Sequence, residues 1–191
     1  KKIILGISGS IAAYKGVYLL RLLQKSGAEV KVVCTPAVSH FVGELTFSSL
    51  TGTSVFSGLW EEKWSEHVAL GTWADLMIIA PATANTIAKC AQGLCDNALQ
   101  AVYLAARCPV VMAPAMDVDM YLHPRVQHNI HILKADGVHV LETGTGYLAS
   151  GLQGPGRLLE PEEILASVEQ LLAHNAEKKL AHKRVLISAG P

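Results

Sequence analysis

The stretch Lys2-Ile-Ile-Leu-Gly-Ile-Ser-Gly-Ser-Ile-Ala-Ala-Tyr-Lys-Gly-Val-Tyr-Leu-Leu-Arg-Leu-Leu-Gln-Lys25 decides the fold. Lys2 to Ile7 is an apolar run of strand length. From Ala12 to Lys25 the spacing changes to a helical repeat at Ala13, Val17, Leu20 and Leu23, ended by Gly27. Between them, Gly6-Ile-Ser-Gly-Ser-Ile11 turns backbone N–H groups and small hydroxyls toward the positive start of the helix, which is a phosphate site by its physics. No Gly-Lys-Ser/Thr follows and GxGxxG is not matched, so neither a nucleoside triphosphate nor NAD is favoured. A tight glycine turn with no ligand is the plainer alternative.

Working outward, the same alternation recurs. Glu29 to Cys34, Asp75 to Ala80, Pro109 to Ala113 and Val138 to Leu141 read as strands buried on both faces of a parallel sheet. Thr83 to Arg107, broken near Gly93, and Pro161 to Leu172 read as helices. The pattern predicts a doubly wound α/β domain, Rossmann-like or flavodoxin-like, with helices on both faces. Its ligand belongs beyond the carboxyl ends of the strands, in the loops after Ile7, Cys34, Ala80 and Ala113. Thr143 to Arg157, with five glycines and a proline, reads as a mobile flap more than a strand or helix. The expected organisation is one domain over 1–174, a polar linker over 175–183, and at 184–191 the first strand and turn of another α/β unit.

With 191 residues, half of them hydrophobic, the chain can bury one substantial core. Sixteen basic and sixteen acidic side chains leave no net charge, so there is no footprint for a nucleic acid or an anionic membrane. A neutral small ligand or another subunit is the expected partner. Gly6, Ser8 and Gly9 interrupt the apolar start too early for a signal peptide or membrane span. Cys34, Cys90, Cys95 and Cys108 show no CxxC and no zinc-ligand spacing, which predicts buried free thiols in a reducing cytoplasm and no metal.

Three further segments carry candidate chemistry. In Ala80-Pro-Ala-Thr-Ala-Asn-Thr86, Pro81 is expected to stop the strand, Thr83 to cap the next helix, and Asn85 and Thr86 to add donors. In Trp60-Glu-Glu-Lys-Trp-Ser-Glu-His67, His67 is a candidate base, against the commoner fate of a packed or surface histidine. Ala113-Pro-Ala-Met-Asp-Val-Asp-Met-Tyr121 sets two carboxylates and two methionines in the expected crevice, where core filling by methionine and helix capping by Asp119 are the alternatives.

Taken together, Gly6-Ile-Ser-Gly-Ser-Ile-Ala-Ala13, His67 with Trp73-Ala-Asp75 and Pro81 to Thr86, Pro114-Ala-Met-Asp-Val-Asp-Met120, and Gly151 to Arg157 resemble the homo-oligomeric flavin-containing cysteine decarboxylases, specifically those of coenzyme A biosynthesis. Val185 to Pro191 resembles the opening of the ligase fused behind them in many bacterial proteins. The resemblance implies an FMN held by Gly9, Ser10, Ile11, Thr35, Thr83, Ala84, Asn85, Thr86 and Ala115. It implies His67 as the base that helps oxidise a cysteinyl thiol to a thioaldehyde, after which carbon dioxide leaves and hydride return gives 4'-phosphopantetheine. Asp117, Met120, Gly151 and Arg157 would meet the substrate, 4'-phospho-N-pantothenoylcysteine. A homo-oligomer, trimer or dodecamer, is implied too.

Three residues depart from the family pattern. Asp117 stands where the family has an asparagine that donates to the substrate carboxylate, and an ionised carboxylate cannot donate. Ser150 stands where the flap carries a cysteine as proton donor, and an alkyl hydroxyl is a far weaker acid, so Tyr147 is the nearest substitute. Tyr121 replaces the usual tryptophan. A peptidyl-cysteine decarboxylase performing only the oxidative half, and a non-catalytic FMN-binding regulatory subunit, stay open beside the main reading.

Overall fold

The computed structural model describes residues 1–59 and 65–180, of which 174–180 are described as backbone alone. Residues 60–64 of the aromatic stretch and the expected second unit at 184–191 lie outside the described residues.

Five parallel strands form the sheet: β1 (Lys2–Ile7), β2 (Glu29–Cys34), β3 (Leu76–Ala82), β4 (Val110–Pro114) and β5 (His139–Val140), in the order β2-β1-β3-β4-β5. Residues of alternate parity serve opposite faces, as the strand period requires. Ile3, Leu5 and Ile7 of β1 with Ile78 and Ala80 of β3 pack under α1 (Ala13–Lys25), Phe47 of α2 (Glu44–Thr51) and the last helix. Ile4, Met77 and Ile79 pack under α3 (Glu66–Trp73), α4 (Ala84–Gln92), α5 (Ala98–Ala105) and, past the short α6 (Val118–Leu122), α7 (Pro124–Ala135). The doubly wound α/β fold is therefore present, with its switch point between β1 and β3.

Three expectations are corrected. β3 runs through Pro81 to Ala82, with a register shift between Ile79 and Ala82, because a proline at such an irregularity removes no ladder hydrogen bond the sheet needs. The segment from Thr143 to Arg157, where no strand was expected, holds an antiparallel hairpin, β6 (Gly144–Tyr147) with β7 (Gln153–Arg157). The last helix, α8 (Pro161–Leu180), continues beyond Leu172, so 175–180 of the expected linker are helical. Of the cysteines, Cys34 and Cys90 are buried, but Cys95 is exposed and Cys108 intermediate. No helix among the described residues is long and apolar enough to cross a membrane.

Candidate active site

The three loops at the carboxyl ends of β1, β2 and β3 are tied to one another. Buried Ser8 donates through Oγ to the Pro81 carbonyl at 2.7 Å and accepts from Thr83 N at 3.0 Å. Gly9 N donates to Thr35 Oγ1 at 3.2 Å, while Thr35 N donates to the Ile7 carbonyl at 3.0 Å. Gly9 packs so closely that a Cβ there would lie 2.5 Å from Ala37 Cβ. Just after β4, Ala115 N donates to the Ala82 carbonyl at 3.0 Å, which draws the fourth loop into the cluster.

Two cavities open over this cluster. One, of about 550 Å³, is lined by Gly9, Ser10, Thr35, the run Thr83 to Thr86, Ala115 and Met120, together with the ion pair Lys89–Asp96. The other, of about 490 Å³, lies under the hairpin and takes Ser10, Ile11, Ala115, Asp117, Tyr147, Ser150 and Arg157. Ser10, Ala115 and Met116 line both, so the cavities share a wall. The residues expected around the cofactor thus gather in the first cavity, except Ile11, which lines the second. Met120, expected on the substrate, lines the first. Capping accounts for part of the Thr83 and Thr86 signal: Thr83 Oγ1 accepts from Thr86 N and donates to Thr86 Oγ1. Asn85 stays exposed at the rim of the first cavity.

The hairpin sits directly on the loop after β4. Met116 N donates to the Gly156 carbonyl at 2.9 Å, and Gly156 N donates to Thr143 Oγ1 at 2.9 Å. Gly156 adopts a φ of 121°, and a Cβ there would lie 2.5 Å from the Met116 carbonyl oxygen, so this approach requires glycine. Ser150 lies in the exposed turn, where its Oγ accepts from Leu152 N at 3.4 Å. Gly151, with φ 86°, shapes that turn and lines neither cavity.

His67 also lines neither cavity. It lies in the first turn of α3, and its Nδ1 is buried without a hydrogen-bond partner among the described residues. Asp117 precedes α6, yet its carboxylate makes no capping hydrogen bond.

Sequence reasoning missed Lys15 and Glu160. Lys15 Nζ is 8% exposed in its side chain, lines the cavity under the hairpin, and donates to Glu160 Oε1 at 2.8 Å and to the Leu158 carbonyl at 3.3 Å. Arg157 reaches the same Glu160 oxygen at 3.3 Å. Lys15 holds the Glu160 carboxyl below the ordinary carboxylate range. The signal for Lys15 was available: a lysine four residues before Leu19, on the buried stripe of α1. For Glu160 there was none, because its partner is 145 positions away.

The model of the Flavoprotein family matches residues 1–173. The coenzyme A biosynthesis bifunctional protein CoaBC of Bacillus subtilis is 43% identical over 194 residues, covering 100% of this chain and 48% of its own length. A cysteine/cysteine sulfinic acid decarboxylase from an unknown prokaryotic organism is 56% identical over 131 residues, 68% of this chain and 36% of that protein. The chain thus spans about half the length, or less, of these relatives. Among solved structures, a cysteine-to-serine mutant of PPC decarboxylase complexed with pantothenoylaminoethenethiol superposes with a TM-score of 0.82 at 32% identity, covering 90% of this chain and 98% of that one. The FMN-dependent cysteine decarboxylase SpaF does so at 0.78 and 30%, covering 92% and 97%.

Proposed function

The chain belongs to the Flavoprotein family, and from that membership we propose that it is an FMN-dependent decarboxylase converting 4'-phospho-N-pantothenoylcysteine to 4'-phosphopantetheine in coenzyme A biosynthesis. The observation that carries this reading is the shared wall of two cavities at the β1/β3 switch point, one rich in hydroxyl and amide donors and one beneath a hairpin.

The donor set fits FMN. The Ser10 N–H and the Ser10 and Thr35 hydroxyls suit its phosphate, Gly9 lets the loops close around it, and Thr83, Ala84, Asn85 and Thr86 with Ala115 form the walls a flat ring system needs. Ile11, on the lining of the second cavity, completes the set we assign to the cofactor. When bound, FMN supplies a two-electron sink for the thiol-bearing carbon of the substrate and a source of the same electrons for the product. The protein's part is placement and proton transfer. His67 takes the thiol proton, imidazole being the usual base near neutral pH. Arg157 is assigned to the substrate carboxylate, Gly151 to the turn of the hairpin above it, and Met120, on the wall of the first cavity, to a further substrate contact. Ser150 or Tyr147, both on the hairpin lining, passes the proton back to the decarboxylated carbon.

His67 lies away from both cavities of its own copy, so we assign it to the cavity of a neighbouring copy in a homo-oligomer, trimeric or dodecameric. Ile11, Tyr14 and Tyr18 support that assembly: each is more than half exposed, and the two tyrosine rings pack edge to face at 6.5 Å. We take 1–174 as the decarboxylase domain, 175–183 as a linker and 184–191 as the start of a ligase domain, in keeping with the bifunctional relatives. Free thiols suit the cytoplasm, where we place the protein.

The test is release of labelled carbon dioxide from carboxyl-labelled 4'-phospho-N-pantothenoylcysteine by the FMN-loaded chain. Sustained turnover, reduced at least about 100-fold by His67→Asn, is the expected result. A chain that binds FMN and releases none is a regulatory subunit instead. The relative named for cysteine and cysteine sulfinic acid points to the same three-carbon skeleton and differs in what the α-nitrogen carries.

A further inference from the structure

We propose that Asp117 supplies the proton that the decarboxylated carbon takes up, having gained it when the substrate carboxylate enters the cavity under the hairpin. The inference rests on the decarboxylase reading and names its catalytic acid, with any hairpin hydroxyl acting as a relay only.

The acids available on the lining differ sharply in strength. Ser10, Tyr14, Tyr147 and Ser150 bring hydroxyls, and alkyl hydroxyls and phenols are both weak acids near neutral pH. Tyr147 and Ser150 are also exposed in the hairpin. Three charged side chains line the same cavity: Lys15, Asp117 and Arg157. A guanidinium does not release a proton, and Lys15 is committed to Glu160 Oε1 at 2.8 Å and the Leu158 carbonyl at 3.3 Å. Asp117 is left. It is partly buried, and its carboxylate caps nothing on α6 and makes no ion pair or hydrogen bond among the described residues. Asp119, two positions on, is exposed on α6 and lines neither cavity.

Charge counting says when this carboxylate takes a proton. Lys15 and Arg157 both engage Glu160 Oε1, so once the substrate carboxylate enters, two positive charges meet two negative ones. An ionised Asp117 would add a third negative charge within one cavity of about 490 Å³. Two carboxylates sharing a site hold one proton between them instead. Protonated, Asp117 donates to the substrate carboxylate in a charge-assisted hydrogen bond, which sets the acid at the bond that breaks. That bond, from Cα to the carboxylate, breaks; its electron pair moves into the thioaldehyde formed beforehand, giving an enethiolate, and carbon dioxide leaves. The Asp117 O–H bond then breaks as a C–H bond forms at Cα, and Asp117 ends ionised. Loss of carbon dioxide from a carboxylate consumes one proton overall, and it is the one gained on binding. The thiol proton taken by His67 returns to the product sulfur.

The experiment compares the FMN-loaded chain with its Asp117→Asn variant in two ways. The first is calorimetric binding of N-pantothenoyl-S-methyl-L-cysteine, which keeps the carboxylate and has no thiol to oxidise, at neutral pH in buffers of different ionisation enthalpy. The wild type should take up about one proton per ligand bound, and the variant about none. The second is anaerobic mixing with 4'-phospho-N-pantothenoylcysteine. Asp117→Asn, whose amide still donates to the carboxylate, should bleach the flavin and release carbon dioxide once. Its absorbance should then recover at least about 100-fold more slowly than that of the wild type. Asp117→Ser serves should the asparagine variant be unstable, since serine also starts helices. Recovery at the wild-type rate, or proton uptake indifferent to Asp117, overturns the proposal. Loss of bleaching in the variant alone would place Asp117 in the oxidative half and overturn it as well. If the wild type leaves its flavin oxidised, the decarboxylase reading falls, and binding decides the shared proton alone: uptake that depends on Asp117 upholds it, and no uptake removes it.

Discussion

Lys15 and Glu160 illustrate how much one long-range pair can decide at the residue scale. Truncating Glu160 to alanine leaves a buried ammonium with the Leu158 carbonyl alone, so a loss of about 1–3 kcal/mol is expected in urea unfolding. Glu160→Gln keeps an acceptor and should cost less than about 1 kcal/mol. Because the folded-state carboxyl is held low, its contribution is present above the unfolded value, about 4.3, and is lost as pH falls through the folded value. Half-exposure of Glu160 keeps that pH-dependent part small. Unfolding curves at neutral and acid pH check the sign. The thiols offer a second check: burial pushes Cys34 and Cys90 up to about 12, whereas Cys95 is exposed. A thiol reagent on the native protein should find Cys95 fast, Cys108 slower, and the other two after unfolding. Four equal rates would contradict the packing described.

At the scale of elements, the hairpin β6–β7 depends on its approach to the loop after β4. Gly156→Ala sets a methyl against the Met116 carbonyl in a backbone region alanine avoids, with an expected cost of about 1–3 kcal/mol. Faster proteolytic cutting at Leu148 to Gly151 would report the hairpin lifting, and unchanged cutting would argue that it is held elsewhere. This hairpin was hidden in the sequence for a physical reason. Its strands are glycine-rich and short, and what seats them is Met116, about 40 positions before Gly156. β1 and β4 were legible because strands buried on both faces leave unbroken apolar runs, as Val110 to Ala113 does, and β2 keeps enough of that pattern in Val30, Val32 and Val33. α2, α3 and α6 bury few side chains each, so their periodicity is faint. Of the residues lining the two cavities, Asp117, Ser10 and Thr83 were readable from local motifs, and Thr35 and Arg157 through the family resemblance. The distance of His67 from both cavities was not, because it depends on how α3 packs across α5.

For the whole molecule, the separation of His67 from the cavities makes assembly part of the chemistry proposed. Light scattering should give a trimer or a multiple of it at micromolar concentration. Coexpression gives a sharper readout: His67→Asn, and Gly9→Ala, which drives a methyl into Ala37, should each be inactive alone and regain activity in mixed oligomers. Activity confined to unmixed wild type would place His67 in its own copy's site. The central claim is that FMN and a cysteinyl substrate meet across the wall formed by Ser10, Ala115 and Met116. Its most direct test is anaerobic mixing of the FMN-loaded chain with 4'-phospho-N-pantothenoylcysteine, following flavin absorbance while products are weighed by mass spectrometry. Bleaching followed by recovery, with one carbon dioxide and one decarboxylated thiol per substrate, is the expected result. Bound flavin that stays oxidised over intact substrate would contradict it.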